Sequence, residues 1–442
     1  MSLYLTNIIF TDQDDSVPSS GVEQILNYGI VNTLAGNDRI TGEGTAYGFV
    51  NSGTLNTDDG NDTITGIGTR AYGQGVGIDT GTLNTGKGDD VITGEGFSHG
   101  IRTDSGSIFD TGEGNDTIRG NGQKLSSYST WGISNYSSTI NTGDGNDMIE
   151  GSGSNGIFNS GIINTGNGKD IITANGISIY DNYVEGIDNS GTLNTGNDDD
   201  IITSTAGPYD NGRRSSPGIS NRGTIDTSDG QDSIISHGLF TNTGNVFLGE
   251  GNDSITASLF AGVGVPHTAI ENFNFIGTGA GNDIITSTGT LYNEGIINTG
   301  NGNDSIIVDR GTNLDTTPSL YNNGGAINMG DGNDSIIAHG FVDSGNNSSG
   351  AYFLGEGDDY IKGFGNGDFY GGNGNDTLEL TPGIYTVEIW GEGGESLIFT
   401  NPSIRGFGLE GLMITSEFEK LKAGGTIYDF TSLKAGQIIT VA

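Results

Sequence analysis

Aspartate is the residue whose spacing in this chain could do chemistry. It recurs at Asp38, Asp62, Asp90, Asp116, Asp147, Asp170, Asp200, Asp232, Asp253, Asp283, Asp304, Asp334, Asp359 and Asp376, at intervals of 17 to 32 residues. Six of these copies close a full Gly-x-Gly-Asn-Asp-x-Ile turn, as in 112–118, 143–149 and 300–306, and most of the others depart from it at one position. The turn glycines are Gly60, Gly88, Gly112, Gly114, Gly143, Gly145, Gly249, Gly251, Gly281, Gly300, Gly302, Gly330, Gly332, Gly355, Gly357, Gly372 and Gly374. Calcium takes six to eight hard oxygens at about 2.3–2.6 Å. Glycines let such a turn curl until backbone carbonyls converge, the aspartate adds a carboxylate, and the following Ile anchors the turn in a core. One turn supplies half a shell, and the same turn one coil further on completes it. Stacked Ca2+ ions are therefore expected at Asp62, Asp90, Asp116, Asp147, Asp170, Asp253, Asp283, Asp304, Asp334, Asp359 and Asp376. The alternative is that these aspartates only cap Gly-Asn turns.

Some turns are weakened. Asp199 stands in Asn-Asp-Asp-Asp without the second glycine, Lys169 precedes Asp170, Gln231 precedes Asp232, and Asp38 follows Leu-Ala. These sites are expected to bind less tightly or not at all.

The elements that position the turns are short. A block of about 18 residues recurs at 48–65, 156–173 and 186–203, and the length variation falls after it. Its Gly-Ile-x-Asn, Thr-Leu-Asn and Asp-x-Ile-Ile segments each turn one or two apolar side chains inward, with Gly and Asn at the corners. One such strand has no core, but stacked coils bury each other's apolar rows. The spacing predicts a right-handed parallel β-helix of about 14 coils, at about 4.8 Å per coil a rod roughly 60–70 Å long. Asn51, Asn159, Asn189, Asn221, Asn293 and Asn322 share one offset and should form an amide ladder. Residues 1–30 are expected to be an N-terminal strand or cap, 31–380 the solenoid, and 381–442 a C-terminal cap, assembly or secretion region. In that last region Ile384–Trp390, Leu397–Thr400 and Ile427–Phe430 read as strands, and Ser416–Leu421 as a short helix.

The turn resembles the RTX (repeats-in-toxin, haemolysin-type) nonapeptide Gly-Gly-x-Gly-x-Asp-x-apolar-x. Residues 371–379 match it in full, whereas 111–119 and 142–150 begin with Thr. The likeness covers about residues 30–380 and implies a calcium-binding β-roll, with an uncleaved secretion signal near the C-terminus. The repeats also look similar to those of cyanobacterial surface proteins such as oscillin. In the family a coil is two nonapeptides with a calcium turn on each side. Here only the 17-residue step from Asp359 to Asp376 comes close, with Asp368 midway as a further candidate ligand. Elsewhere Gly42-Glu43-Gly44, Gly94-Glu95-Gly96 and Gly120-Asn121-Gly122 read as relics of the opposite turn without its aspartate. One calcium column is therefore expected, with the other corner freed for insertions.

Those insertions form a variable edge bearing Tyr47, Tyr72, Tyr128, Trp131, Tyr180, Tyr183, Tyr209, Phe260, Arg70, Lys124, Arg213, Arg214 and Arg310. It reads either as a contact surface or as cover for the open edge of the coil. Composition narrows the function. Gly is 81 of 442 residues and only 32% are hydrophobic, too few for several globular cores. A net charge of −39 repels nucleic acid and anionic membranes, so neither is an expected partner. Cysteine is absent, which excludes thiol chemistry, and no apolar run is long enough to span a bilayer. The N-terminus lacks a secretory pattern, so a cytoplasmic protein or export without a cleaved signal is implied. Gly96-Phe97-Ser98-His99-Gly100 fits a nucleophile elbow by chance, without the strand–turn–helix that chemistry needs. No enzyme is expected; only Tyr209, Asp210, Arg213 and Arg214 hint at a polysaccharide-modifying site. The expected function is a calcium-stabilised extracellular structural rod, self-associating into a fibril, sheath or surface layer. The alternatives are an adhesin that binds surface polysaccharide through the variable edge, and ice binding. Against ice stand the residues between the turn glycines, among them Asp59, Lys87, Glu113 and Asp144.

Overall fold

A computed structural model shows how the repeat folds. It describes the chain except residues 1, 19–23, 71–72, 79–80, 124–129, 178–182, 210–213, 260–267, 310–318, 344–349, 391–395 and 407–408. The chain divides into two units, one of Met1–Phe240 and the other of Thr241–Leu259 with Gly264–Ala442.

In the first unit each coil contributes three strands, and each strand pairs in parallel with its counterparts one coil either way. Thr82–Asn84 lies between Thr54–Asn56 and Ile108–Asp110. Val91–Gly96 lies between Thr63–Gly68 and Thr117–Gly122. His99–Thr103 lies between Gln74–Ile78 and Trp131–Asn135. This is the parallel β-helix that the apolar spacing predicts. Leu55, Leu83, Phe109 and Ile140 form one inward row, Ile64, Ile92, Ile118 and Ile149 a second, and Val76, Ile101, Ile133 and Ile157 a third, all buried. The core is thus three columns of like residues, stacked at strand spacing.

The amide ladder forms at the corner after the third strand. Asn135, Asn159, Asn189 and Asn221 are fully buried, and each Nδ2 donates to the Oδ1 of the next at 2.8 Å. The second unit repeats this through Asn242, Asn272, Asn293 and Asn322, again at 2.8 Å. Each link also gives its second proton to a main-chain carbonyl, as Asn159 does to Thr192 at 2.8 Å.

The glycines read as relics of an opposite turn have another role. Gly42–Gly44 and Gly94–Gly96 end strands, Arg39–Gly44 and Val91–Gly96. A Cβ on Gly94 would meet the Gly100 carbonyl oxygen at 2.1 Å, and one on Gly100 the Asn121 nitrogen at 2.1 Å. Two strands of one coil therefore converge main chain to main chain, leaving no room for a side chain. The length variation of the repeat falls in the chain between these two strands.

In the second unit the parallel columns continue from Ser254–Ser258 through Ile284–Ser287 and Ser305–Val308 to Ser335–Asp343, Tyr360–Gly365 and Thr377–Leu380. Beyond Leu380 antiparallel pairing enters: Gly383–Trp390 pairs with Ser396–Gly406 and with Ile438–Val441, while Leu409–Ser416 still pairs in parallel with Gly367–Asn373. The expected helix at Ser416–Leu421 is absent, because Lys420–Ala423 is a strand paired in parallel with Thr377–Leu380. Its burial alternates along the chain, which favours a strand. Among the described residues the only helical elements are the 3-10 turns Leu5–Asn7 and Phe430–Ser432.

The ladder carries a prediction. Asn159→Ala orphans buried groups on Asn135 and Asn189, each worth about 1–3 kcal/mol. A lower denaturant midpoint with an unchanged slope is the expected result; an unchanged midpoint would show that the amides contribute nothing net.

Candidate metal centre

The aspartates sit where the second strand of each coil begins, after a turn that glycine alone makes without strain. In 112–116 the two glycines have φ of +96° at Gly112 and +142° at Gly114. A Cβ on Gly114 would lie 2.0 Å from the Gly88 carbonyl oxygen of the preceding coil. Both the dihedral and the space exclude a larger residue. Main-chain bonds tie neighbouring turns, with Gly88 N–H donating to the Glu113 carbonyl at 2.8 Å and Gly114 N–H to that of Asp144 at 2.9 Å.

Two acyl ladders of opposite sense run through these turns. Each aspartate N–H donates to the Oδ1 of the aspartate one coil further on: Asp62 to Asp90 at 2.7 Å, Asp90 to Asp116 at 2.8 Å, Asp116 to Asp147 at 2.7 Å and Asp147 to Asp170 at 2.8 Å. In the second unit Asp253, Asp283, Asp304, Asp334, Asp359 and Asp376 are linked alike, at 2.7–2.8 Å. The residue before the aspartate works in reverse, its N–H donating to the side-chain oxygen of the preceding coil: Asn146 to Asn115 at 2.9 Å, Asn333 to Asn303 at 2.8 Å. This is why the motif reads Asn-Asp: each position must offer a short side-chain acceptor.

Hydrogen bonding uses only one oxygen of each carboxylate. Oδ2 of Asp62, Asp90, Asp116, Asp147, Asp170, Asp200, Asp283, Asp304, Asp334, Asp359 and Asp376 is buried and receives no hydrogen bond. The Thr five residues upstream stands beside the carboxylate in many coils. Its hydroxyl, however, donates elsewhere: Thr57 to the Thr85 carbonyl at 3.1 Å and Thr142 to that of Thr165 at 3.2 Å. Burial, with neighbouring carboxylates, pushes the acids up: Asp62, Asp170 and Asp359 to about 6, Asp90, Asp147 and Asp334 to about 7, and Asp200 to about 8. A row of buried carboxylates, each with an unused oxygen and one strand spacing of about 4.8 Å apart, suits a hard cation between successive coils. No three His, Asp or Glu side chains converge on one point among the described residues. A cation would therefore join two carboxylates and take further oxygens from the turns. An all-oxygen set of this kind suits calcium, magnesium or manganese, and calcium's loose geometry best fits a site shared by two coils.

The predicted ligands fall on this column with one exception. Asp368 lies on the strand Gly367–Asn373, paired with Ala351 and Ile414, away from the turns. Turns that lack one of the two glycines, at Asp38, Asp62, Asp200 and Asp232, hold the same backbone path by strain. Leu34, Asp58, Asp198 and Ser228 occupy glycine positions with φ of +70°, +64°, +82° and +58°. Asp170 still donates to Asp200, and Asp200 to Asp232, both at 2.8 Å. The sequence ligand list omits Asp200, yet its Oδ2 is as bare as the others. It also omits Asp15, whose N–H donates to Asp38 Oδ1 at 2.8 Å, and Glu419, which accepts from Asp376 N–H at 2.7 Å. Neither stands in a Gly-Asn turn, so the motif gave no signal for them.

Much of the variable edge lies outside the described residues: Tyr72, Lys124, Tyr128, Tyr180, Asp210, Arg213, Phe260 and Arg310. Ser98 and His99 flank the tip of a tongue. Ser98 Oγ donates to the Gly73 carbonyl at 3.2 Å and lies 3.0 Å from His99 Nδ1. That is strand–loop–strand, without the helix of a nucleophile elbow.

No family model matches the chain, and no curated protein is significantly similar to it. Among solved structures it is similar to a hyperactive, Ca2+-dependent, beta-helical antifreeze protein from an Antarctic bacterium. The identity is 17% over 82% of each chain, with a TM-score of 0.35, too loose a likeness to argue from. No helix among the described residues is long and apolar enough to cross a membrane.

Two measurements test the column. A carboxyl whose folded pKa is raised stabilises the fold below its unfolded value and loses that contribution as pH rises through the folded one. The metal-free chain should therefore melt higher near pH 4 than near pH 8, with the loss beginning above the ordinary carboxylate value and complete once pH has passed the raised values of about 6 to about 8. Stability that rises with pH in chelator would contradict this. Separately, Leu34→Gly and Asp198→Gly should each raise stability by about 1 kcal/mol, by relieving left-handed backbone at a non-glycine residue.

Proposed function

We propose that this chain is a calcium-stabilised structural protein working outside the cell, with the repeat column as its calcium spine. The observation that carries the reading is the row of buried Oδ2 atoms with no hydrogen-bond donor. A buried, unpaired carboxylate is costly, and repeating that cost coil after coil calls for a counter-cation. The net charge of −39 argues in the same direction. The RTX-like turn supports calcium over other hard cations, and export by the RTX route would deliver the chain into calcium-rich surroundings. Calcium that binds only the native state stabilises it by mass action, about 2.7 kcal/mol per site at a hundredfold excess over Kd. In calcium-poor cytosol the same carboxylates oppose folding, which keeps the chain exportable. Repeats that stack coil on coil fit a scaffold that self-associates into a fibril, sheath or surface layer.

Ice binding, the remaining alternative from the sequence, has less support. The outward residues between the turn glycines are unlike a regular ice-matching face. Asp59, Lys87, Glu113, Asp144 and Asn167 follow one another along this ladder, and Lys87 pairs with Glu113 at 2.6 Å.

A carbohydrate-binding adhesin is the second reading, favoured by rings on the outer face of the third strands. Phe158 lies 5.5 Å from Trp131 and 5.0 Å from Tyr136, and Arg102 covers Tyr136 at 5.2 Å. In the other unit Tyr292 lies 5.7 Å from Phe273 and 5.2 Å from Tyr321, with Asn323 donating to Glu294 at 2.8 Å. Ring platforms edged by hydrogen-bonding groups are what a sugar face stacks on. Glycan-array binding lost in Trp131→Ala would move the assignment to this reading.

The main reading is tested by circular dichroism and electron microscopy with calcium and with chelator. Calcium-dependent folding and concentration-dependent assembly are expected; equal folding in chelator would remove the calcium spine, and a calcium-folded monomer at high concentration would remove the scaffold. Asp116→Asn keeps an acceptor for the Asp90 N–H but removes the charge. It should raise the calcium concentration needed for half-folding several-fold, with little change in the fully loaded spectrum.

A further inference from the structure

The first aspartate of the ladder in one unit and the last of the ladder in the other are finished differently. At the N-terminal end the ladder begins on Asp15, whose Oδ2 accepts from the Thr11 N–H at 2.7 Å and hydroxyl at 3.2 Å. That carboxylate is occupied by hydrogen bonds of its own turn. At the other end Asp376 is fully buried, its Oδ1 accepts from Asp359 N–H at 2.8 Å, and its Oδ2 has no donor. No further repeat follows it. The C-terminal region instead folds Thr415–Lys420 over Asp376 in the manner of another turn.

The imitation is detailed. Glu417 has a φ of +64°, the left-handed conformation that glycine adopts in the repeat turns. Its carbonyl oxygen points at Gly371, where a Cβ would meet it at 2.0 Å and Asp376 Oδ2 at 2.8 Å. Both oxygens thus border one small gap that only a glycine leaves open, and Gly371 is the repeat position that elsewhere is usually Thr. Glu419 Oε2 accepts from Asp376 N–H at 2.7 Å, the role the next coil's aspartate plays everywhere else. Lys420 N–H returns a bond to the Asp376 carbonyl at 3.0 Å, and Lys420–Ala423 then pairs in register with Thr377–Leu380.

We infer that Asp376, Glu417 and Glu419 form a terminal calcium site that fastens the C-terminal sheet to the last coil. The donors are Asp376 Oδ2, the Glu417 carbonyl and the Glu419 carboxylate, which one N–H does not exhaust. Calcium has room for waters beside these, since the Glu417 and Glu419 side chains are exposed. The site rests on the calcium reading of the column and adds to it a lock on the cap. The strained Glu417 backbone fits this role, for a non-glycine residue held left-handed marks a place where the surroundings dictate conformation.

The test is calcium stoichiometry of the full chain by isothermal titration, wild type against E419Q, with hydrogen exchange on 409–423 in saturating calcium. E419Q should bind one ion fewer, leave the other sites unchanged, and exchange faster in Lys420–Ala423 while the repeat amides stay protected. An equal ion count with equal protection overturns the terminal site and leaves the column standing. A wild type that binds no calcium overturns both. Should E419Q fail to fold, Glu419→Asp keeps the charge but shortens its reach, and should fold with the last site weakened; full wild-type occupancy there also overturns the inference.

Discussion

Burying one carboxylate in every coil is the constraint on which the rest of this structure depends. Each aspartate closes the backbone ladder of the turn column by accepting the N–H of its neighbour. The same act takes a charge out of water and leaves an oxygen unused. Burial therefore lifts these acids well above the usual carboxylate range, to about 8 at Asp200. In the reading proposed above, cations offset this buried charge at neutral pH. Folding is then coupled to the ionic composition outside the chain, and not to the hydrophobic core alone.

The core could not do this work by itself. Each strand gives one or two apolar side chains, and the inward rows gain their burial from the coils above and below. Register must therefore be held by something that does not slip. The buried Asn ladder and the two acyl ladders of the turn provide it, because each link forms only when like residues are aligned. Where glycine is missing from a turn, as at Leu34 or Asp198, the backbone still adopts the left-handed path. The stacking of neighbouring turns overrides the local preference there.

The tongue explains how such a regular object tolerates irregular insertions. Two strands of one coil meet main chain to main chain at Gly94 and Gly100. The chain between such strands differs in length from coil to coil, and the strands on either side keep their register. The C-terminal region uses the opposite strategy. It keeps the parallel register for two strands, Leu409–Ser416 and Lys420–Ala423, and closes the sheet with antiparallel ones. An exposed parallel end would otherwise invite further pairing.

The sequence by itself determined the solenoid and the turn column. Period, apolar spacing and the Gly-x-Gly-Asn-Asp motif are local, and every coil repeats the same local solution. It also marked Asn159 and its partners as a ladder, since identical amides at one offset have little else to do. Tertiary structure alone decided the rest. Gly42–Gly44 looks like a turn in the sequence and is a strand end, because what sets it is the opposing strand six residues away. Asp368 lies at the right spacing for a ligand but on a strand outside the turns. Glu419 has no motif around it and still completes the column, because a chain that folds back brings it there. Motifs report contacts made between equivalent positions of a repeat; a contact made once, at an end, leaves no period to read.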